Sequence, residues 1–205
     1  MRILHIDCSP RAGSQSRQLS AAIVARLFAR HPDVSVTRRD LGREPIPHTE
    51  SDYAAALSSP DALEAGLSNG AMQLSEKLIQ EVETADILVI GTPVNNFTVP
   101  SVLKAWIDQI LRIGRTLSSS PAGKMGLLRD RPVFIGIASG GIFTGDRANQ
   151  PDFLTPYLRA ALGCVGLNML HFFPLQATAF LDQERLAAAR DNLLTMVDAV
   201  EVGAK

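Results

Sequence analysis

Hydrophobic residues along this chain fall into short, strand-length runs separated by stretches of helical spacing. Residues 2–7 form a β-prone run and give way to a turn-rich stretch over 8–15. A helix over 16–30 follows, with Leu19, Ile23, Leu27 and Phe28 on one face. Val34-Ser35-Val36-Thr37 alternates as a second strand, and Pro45, Pro47 and a Ser/Pro/Asp cluster near residue 60 mark a long irregular connection before a helix over 71–83. Asp86-Ile87-Leu88-Val89-Ile90-Gly91 is a continuous apolar run, the pattern of a central parallel strand covered on both faces. Val102, Leu103, Trp106, Ile107, Ile110 and Leu111 recur at helical spacing, with Gly114 closing that helix. Gly, Ser and Pro dominate from there to Leu127. A fourth strand is expected over 133–138, a helix over 153–162, a fifth strand over 169–173 and a final amphipathic helix over 183–200.

Strands alternating with helices give an α/β fold. With right-handed crossovers, five parallel strands form a doubly wound, three-layer sheet in the order 2-1-3-4-5. The 205 residues suffice for one such domain over 1–205 and are short for two. The 20 basic residues are scattered among 21 acidic ones for a net charge of -1, so no basic stripe invites nucleic acid. The first six residues are too short and polar for a signal peptide, and no stretch reaches membrane-spanning length, which makes the cytoplasm the default location. Cys8 and Cys164 have neither CxxC nor metal-ligand spacing, so no metal site is expected. The expected partner is a small molecule.

Ligands of doubly wound sheets bind beyond the carboxyl ends of the strands, near the point where strand order reverses. The loop after the first strand, Cys8-Ser9-Pro10-Arg11-Ala12-Gly13-Ser14-Gln15-Ser16-Arg17, sets hydroxyls and free amides at the start of a helix, where a phosphate finds convergent donors and a favourable dipole. The competing reading is that Ser14 or Ser16 only caps the helix. Lacking both GxGxxG and GxxxxGK[ST], the loop suits a monophosphate. Arg11 and Arg17 either add charge there or sit solvated on the surface. The loop after the third strand, Pro93-Val94-Asn95-Asn96-Phe97, puts paired amides and an aromatic ring between Pro93 and Pro100, a set that can grip a flat heterocycle, or else forms a turn over a core phenylalanine. The loop after the fourth, Ala138-Ser139-Gly140-Gly141, allows close backbone approach to a ligand.

Taken together these segments resemble the FMN-dependent NADH:quinone and azo-compound oxidoreductases, with a flavodoxin-like fold, and the similarity runs almost from end to end. Ser9 with Ser14-Gln15-Ser16 resembles the family's phosphate loop, Pro93 to Phe97 its flavin-ring loop, and Ala138 to Gly141 its third loop. Arg39-Asp40-Leu41 with Pro45-Ile46-Pro47, and Thr155-Pro156-Tyr157-Leu158, are similar to further family segments. The resemblance implies FMN as cofactor, NADH or NADPH as donor, a homodimer with the active site at the subunit interface, and ping-pong hydride transfer through flavin N5 to quinones or azo compounds. It implies that Asn96 and nearby backbone bind the flavin edge, that Phe97 flanks the ring, that Gly140 and Gly141 hold the pyrimidine end, and that Phe143 and Cys164 belong to the substrate pocket. It assigns no catalytic acid or base, since the protein tunes the flavin and solvent supplies protons.

Three residues depart from the family's pattern: Asn95 where tyrosine is common, Ser139 where many members carry arginine, and Cys164 where a phenylalanine often lines the acceptor pocket. Less aromatic area and one cation fewer imply a preference for quinones over sulfonated azo compounds. A flavodoxin-type electron carrier and an NAD(P)H-dependent flavin reductase are the alternatives. Near-neutral charge and the extra length over 43–70 and 114–128 favour an enzyme with a covered pocket over the carrier. A phosphoacceptor signalling domain would need an aspartate at the end of the third strand, where Gly91-Thr92-Pro93 stands instead.

Overall fold

A computed structural model describes residues 1–121 and 123–201. Five parallel strands, β1 (Arg2–Asp7), β2 (Ser35–Asp40), β3 (Ile87–Pro93), β6 (Val133–Ala138) and β7 (Leu170–Leu175), form one sheet in the order β2-β1-β3-β6-β7. Counted among the sheet strands alone, this is the expected order 2-1-3-4-5. Helices α1 (Gln15–Arg30), α4 (Gln73–Thr84), α5 (Ser101–Ile110), α6 (Thr155–Cys164) and α7 (Gln183–Asp198) provide the outer layers.

The period-2 geometry of strands explains the layering. Leu88 and Ile90 of β3 join Leu4, Ile6, Ile135 and Ile137 beneath α4, α5 and α6, while Ile87 and Val89 join Ile3, Phe134 and Phe173 beneath α1 and α7. β3 is therefore apolar throughout because both faces are covered. Leu19, Ile23 and Leu27 of α1 are fully buried, each contributing about 1.5–3 kcal/mol. Phe28 departs from the expected face and is exposed. Pro174 is tolerated because β7 is an edge strand, and Arg38 and Arg39 put charge on the opposite edge at β2.

Three expectations need correction. The connection over 43–70 is not wholly irregular: it holds two short helices, α2 (Ser51–Ala56) and α3 (Pro60–Asn69). The stretch after α5 holds a two-stranded antiparallel hairpin, β4 (Leu117–Ser120) with β5 (Gly123–Gly126). α5 itself ends at Ile110, and Gly114, at φ 76°, makes the following turn instead of closing the helix. The hairpin's base lies at the amino-terminal edge of the sheet. The Leu128 amide donates to Val165 just beyond α6, and Leu127 and Leu128 share a hollow with Arg2 and Asp86. No helix among the described residues is long and apolar enough to cross a membrane.

Candidate active site at the carboxyl ends of the strands

The β1–α1 loop is shaped by its own short polar side chains. The Arg11 amide donates to Ser9 Oγ at 3.3 Å and the Ser14 amide to the Arg11 carbonyl at 3.2 Å. Ser14 occupies the N-cap position of α1 with extended backbone, yet its hydroxyl makes no capping bond. It pairs with the buried Ser16 hydroxyl at 2.9 Å. The first turn of α1 carries no acidic residue. Its amides consequently keep their pull on an anion, which the simple capping role would have spent.

In the loop after β3, Asn95 and Thr98 exchange backbone hydrogen bonds of 2.9 and 3.0 Å, enclosing a two-residue turn. Both central residues have positive φ, 47° at Asn96 and 71° at Phe97. That is the geometry of a type I′ turn, which asparagine accepts readily and a bulky aromatic does not. Phe97 is held in a costly conformation and half exposed, so it is not a core phenylalanine. The Val94 amide donates to the Ala138 carbonyl at 2.9 Å, tying this loop to the end of β6.

The loop after β6 is fixed from behind. Ser139 is buried, and its Oγ accepts from Gln150 Nε2 at 2.9 Å. A Cβ on Gly141 would stand 2.9 Å from Gln150 Oε1, so glycine there makes room for internal packing. Gly140 is open, with only the Ala179 Cβ 3.5 Å from a hypothetical side chain. Thr178 and Ala177 amides donate to the Ser139 and Gly141 carbonyls, both at 3.0 Å, which docks the loop after β7 alongside.

All these loops meet in one cleft of about 450 Å³, within the usual range for small-molecule sites. Ser9, Pro10, Arg11, Ser14, Gln15, Pro93, Val94, Asn95, Ala138, Gly140, Thr178 and Ala179 line it, and Arg11 is the only ionisable side chain among them. Ser16, Ser139 and Gly141 stand behind the lining as supports, and Asn96 and Phe97 form the tip of the turn. Phe143 is buried and lines a smaller hollow of about 170 Å³ with Arg159 and Phe172. Cys164 ends α6, which runs back toward the amino-terminal edge, so it borders neither space. Thr178 and Ala179 escaped the sequence reading because the fifth strand's loop was passed over, although it opens at the same edge.

Beneath the cleft lies a charge network centred on the buried Asp7. Asp7 accepts from Ser20 Oγ at 3.0 Å and from Arg38 at 2.7 Å, with His5 Nε2 and an Arg17 nitrogen each at 3.5 Å. Burial alone would raise its carboxyl, but hydrogen bonds and charge from His5, Arg38 and Ser20 outweigh it and hold the group at about 2. The Cys8 thiol is pushed up by burial, leaving it inert.

A model of the flavodoxin-like fold matches residues 1–197. The chain is 49% identical over 182 residues to FMN-dependent NADH:quinone oxidoreductase 4 of Pseudomonas fluorescens, spanning 88% of this chain and 86% of that protein. The chain belongs to this flavodoxin-like oxidoreductase family. A second family member, FMN-dependent NADH:quinone oxidoreductase 5 of Burkholderia lata, is 45% identical over 197 residues, with 93% and 92% of the two chains covered. Among solved structures, an azoreductase from Bacillus anthracis superposes with a TM-score of 0.83 at 22% identity, covering 98% of this chain and all of that one, which shows the shared fold.

Proposed function

We propose that this chain is an FMN-dependent oxidoreductase that carries reducing equivalents from NADH or NADPH to quinones and azo compounds, built as a single flavin-binding domain over 1–205 and working as a homodimer. The observation that carries this reading is the meeting of Ser14, Asn95 and Gly140, from three separate strand ends, in one cleft. The relatives' names supply its chemistry.

The cleft suits a phosphorylated flat heterocycle from one end to the other. Ser9, Ser14, Gln15 and Ser16, with the uncapped first turn of α1, present hydroxyls and amides to a phosphate, and Arg11 adds positive charge. Pro93, Val94, Asn95 and Asn96 hold the ring edge, Phe97 flanks the ring, and Ala138, Ser139, Gly140 and Gly141 form the wall at the pyrimidine end, with Thr178 and Ala179 beside them. When bound, FMN supplies the two-electron chemistry, accepting hydride from the nicotinamide and passing it to the acceptor. The chain's own residues orient the ring and exclude water, and solvent supplies protons. Phe143 and Cys164 stay candidates for an acceptor pocket that a second copy completes. Half-exposed Phe97 and exposed Phe153, whose amide donates to the Phe97 carbonyl at 3.1 Å, offer apolar area beside the turn for such a copy.

The purified protein should show a flavin absorption spectrum, or acquire one with FMN, that bleaches on anaerobic addition of NADH without a partner reductase. A protein that takes up no FMN refutes the reading, while one that binds FMN but needs a reductase is the electron carrier instead.

A further inference from the structure

Arg17, the third residue of α1, neither faces solvent nor enters the cleft. Its side chain is buried behind the β1–α1 loop, where Nε donates to the Ser9 carbonyl at 2.7 Å. One terminal nitrogen donates to Asp40 Oδ2 at 2.9 Å and the other to Asp40 Oδ1. The planar fork therefore spends two donors on one carboxylate and a third on the loop backbone, a division that lysine has no geometry to reproduce. Asp40 is held in turn by the Arg43 amide at 3.1 Å.

A second contact backs the same peptide. Gly42 presses against the Ser9–Pro10 bond so closely that a Cβ there would lie 2.2 Å from the Ser9 carbonyl oxygen and 2.8 Å from the Pro10 nitrogen. Its amide donates to the Asp7 carbonyl at 3.1 Å, which fixes the end of β2 against the loop. With Pro10 contributing no N–H, the Ser9 carbonyl is the strongest dipole of this peptide. Bound to Arg17, it is turned away from the cleft that Ser9 and Pro10 line. Arg17 and Arg38 are balanced by Asp7 and Asp40, so these four side chains together bring no net charge to an anion. Their influence on a ligand is therefore geometric.

We propose that Arg17 is a positioning residue: locked by Asp40 and backed by Gly42, it holds the Ser9–Pro10 peptide in the one orientation that leaves the β1–α1 loop shaped for a phosphomonoester, and so sets the preference for FMN over riboflavin. This rests on the reading of that loop as the phosphate holder.

The test is equilibrium binding of FMN and of riboflavin to the deflavinated full-length protein. Arg17→Lys keeps the charge and removes the fork, whereas Gly42→Ala displaces the Ser9 carbonyl without touching any charge. Each should weaken FMN binding by about tenfold or more while riboflavin affinity changes by less than about threefold. The inference falls if both variants bind FMN like wild type, or if they lose FMN and riboflavin in equal proportion, as a general structural defect would produce. If Arg17→Lys does not fold, Gly42→Ala alone decides. Wild-type protein that binds FMN and riboflavin equally would show that the loop holds no phosphate and would remove the reading together with the inference. Wild type that discriminates beside variants that discriminate equally well removes the inference alone.

Discussion

Asp7 shows how one residue couples fold stability to the site. Its carboxyl sits at the end of β1, fully buried under the β1–α1 loop, and stays ionised because His5, Arg38 and Ser20 more than offset the cost of burial. Lowering its folded value from 3.8 to about 2 means that the unfolded chain takes up this proton first on acidification. The resulting stabilisation, about 2 kcal/mol, is fully present above 3.8 and disappears as the pH falls through about 2. Asp7→Asn should therefore be less stable than wild type at neutral pH by at least this amount, because Arg38 loses its nearest carboxylate and the buried Arg17 a second one, and the gap should close toward pH 2. Urea denaturation of both proteins across that range measures it, and a gap that does not change with pH would show that Asp7 is not held ionised. At this scale the sequence was informative where chemistry is local. The Ser-rich β1–α1 loop and the presence of a loop between Pro93 and Pro100 could be read from residue types alone, though the turn's left-handed Phe97 could not. The sequence was silent where a role depends on distant partners, since nothing in the residues around Arg17 tells that its guanidinium turns inward to Asp40, 23 positions away.

β1, β3 and β6 were legible as continuous apolar runs because both sheet faces are covered, and the five helices packed on the sheet because burial imposes a period of 3.6 on them. The missed elements lack that imprint. α2 has six residues, and α3 opens with Ser59 capping the Ala62 amide and proline in its first turn. The Ser-Pro pair read as a breaker was a helix start. β4 is Leu-Ser-Ser-Ser with only Leu117 buried, so no alternation marks it as a strand. The turn after β3 breaks a local rule in the opposite sense, placing Phe97 where glycine is preferred, and such violations concentrate at functional sites. Phe97→Gly would create an Asn-Gly type I′ turn and should stabilise the protein by about 1 kcal/mol by relieving the left-handed backbone. Quinone turnover should fall, since the ring proposed to flank the flavin is gone. Thermal unfolding and steady-state reduction measured on the same preparation test both halves, and a destabilised variant with undiminished turnover would mean that the aromatic is there for the fold.

At the scale of the whole molecule, charge placement bears on what the cleft accepts. The chain's net charge is -1, and nearly all of its arginines that approach the site are already committed: Arg17 and Arg38 to Asp7 and Asp40, and Arg39 to Glu81. Arg11 alone lines the cleft, at the end where the phosphate is proposed to sit, and a bound phosphate would neutralise it. Ser139, in place of the arginine common in the family, is turned inward to Gln150 and offers nothing cationic either. Within the cleft itself an acceptor thus meets amides, methyl groups and proline and no cation besides Arg11, and a phosphate nearby repels a sulfonate, with Arg159 set apart in the hollow beside Phe143. Neutral quinones should accordingly show the higher kcat/KM when compared with matched sulfonated azo compounds, and the disadvantage of the sulfonated acceptor should shrink as salt screens the phosphate. Faster reduction of the sulfonated compound at low ionic strength would place an unpaired cation at the acceptor end. Arg159, in the hollow beside Phe143, or a second copy of the chain would then be the source to examine, because the cleft's own lining has only Arg11 to give.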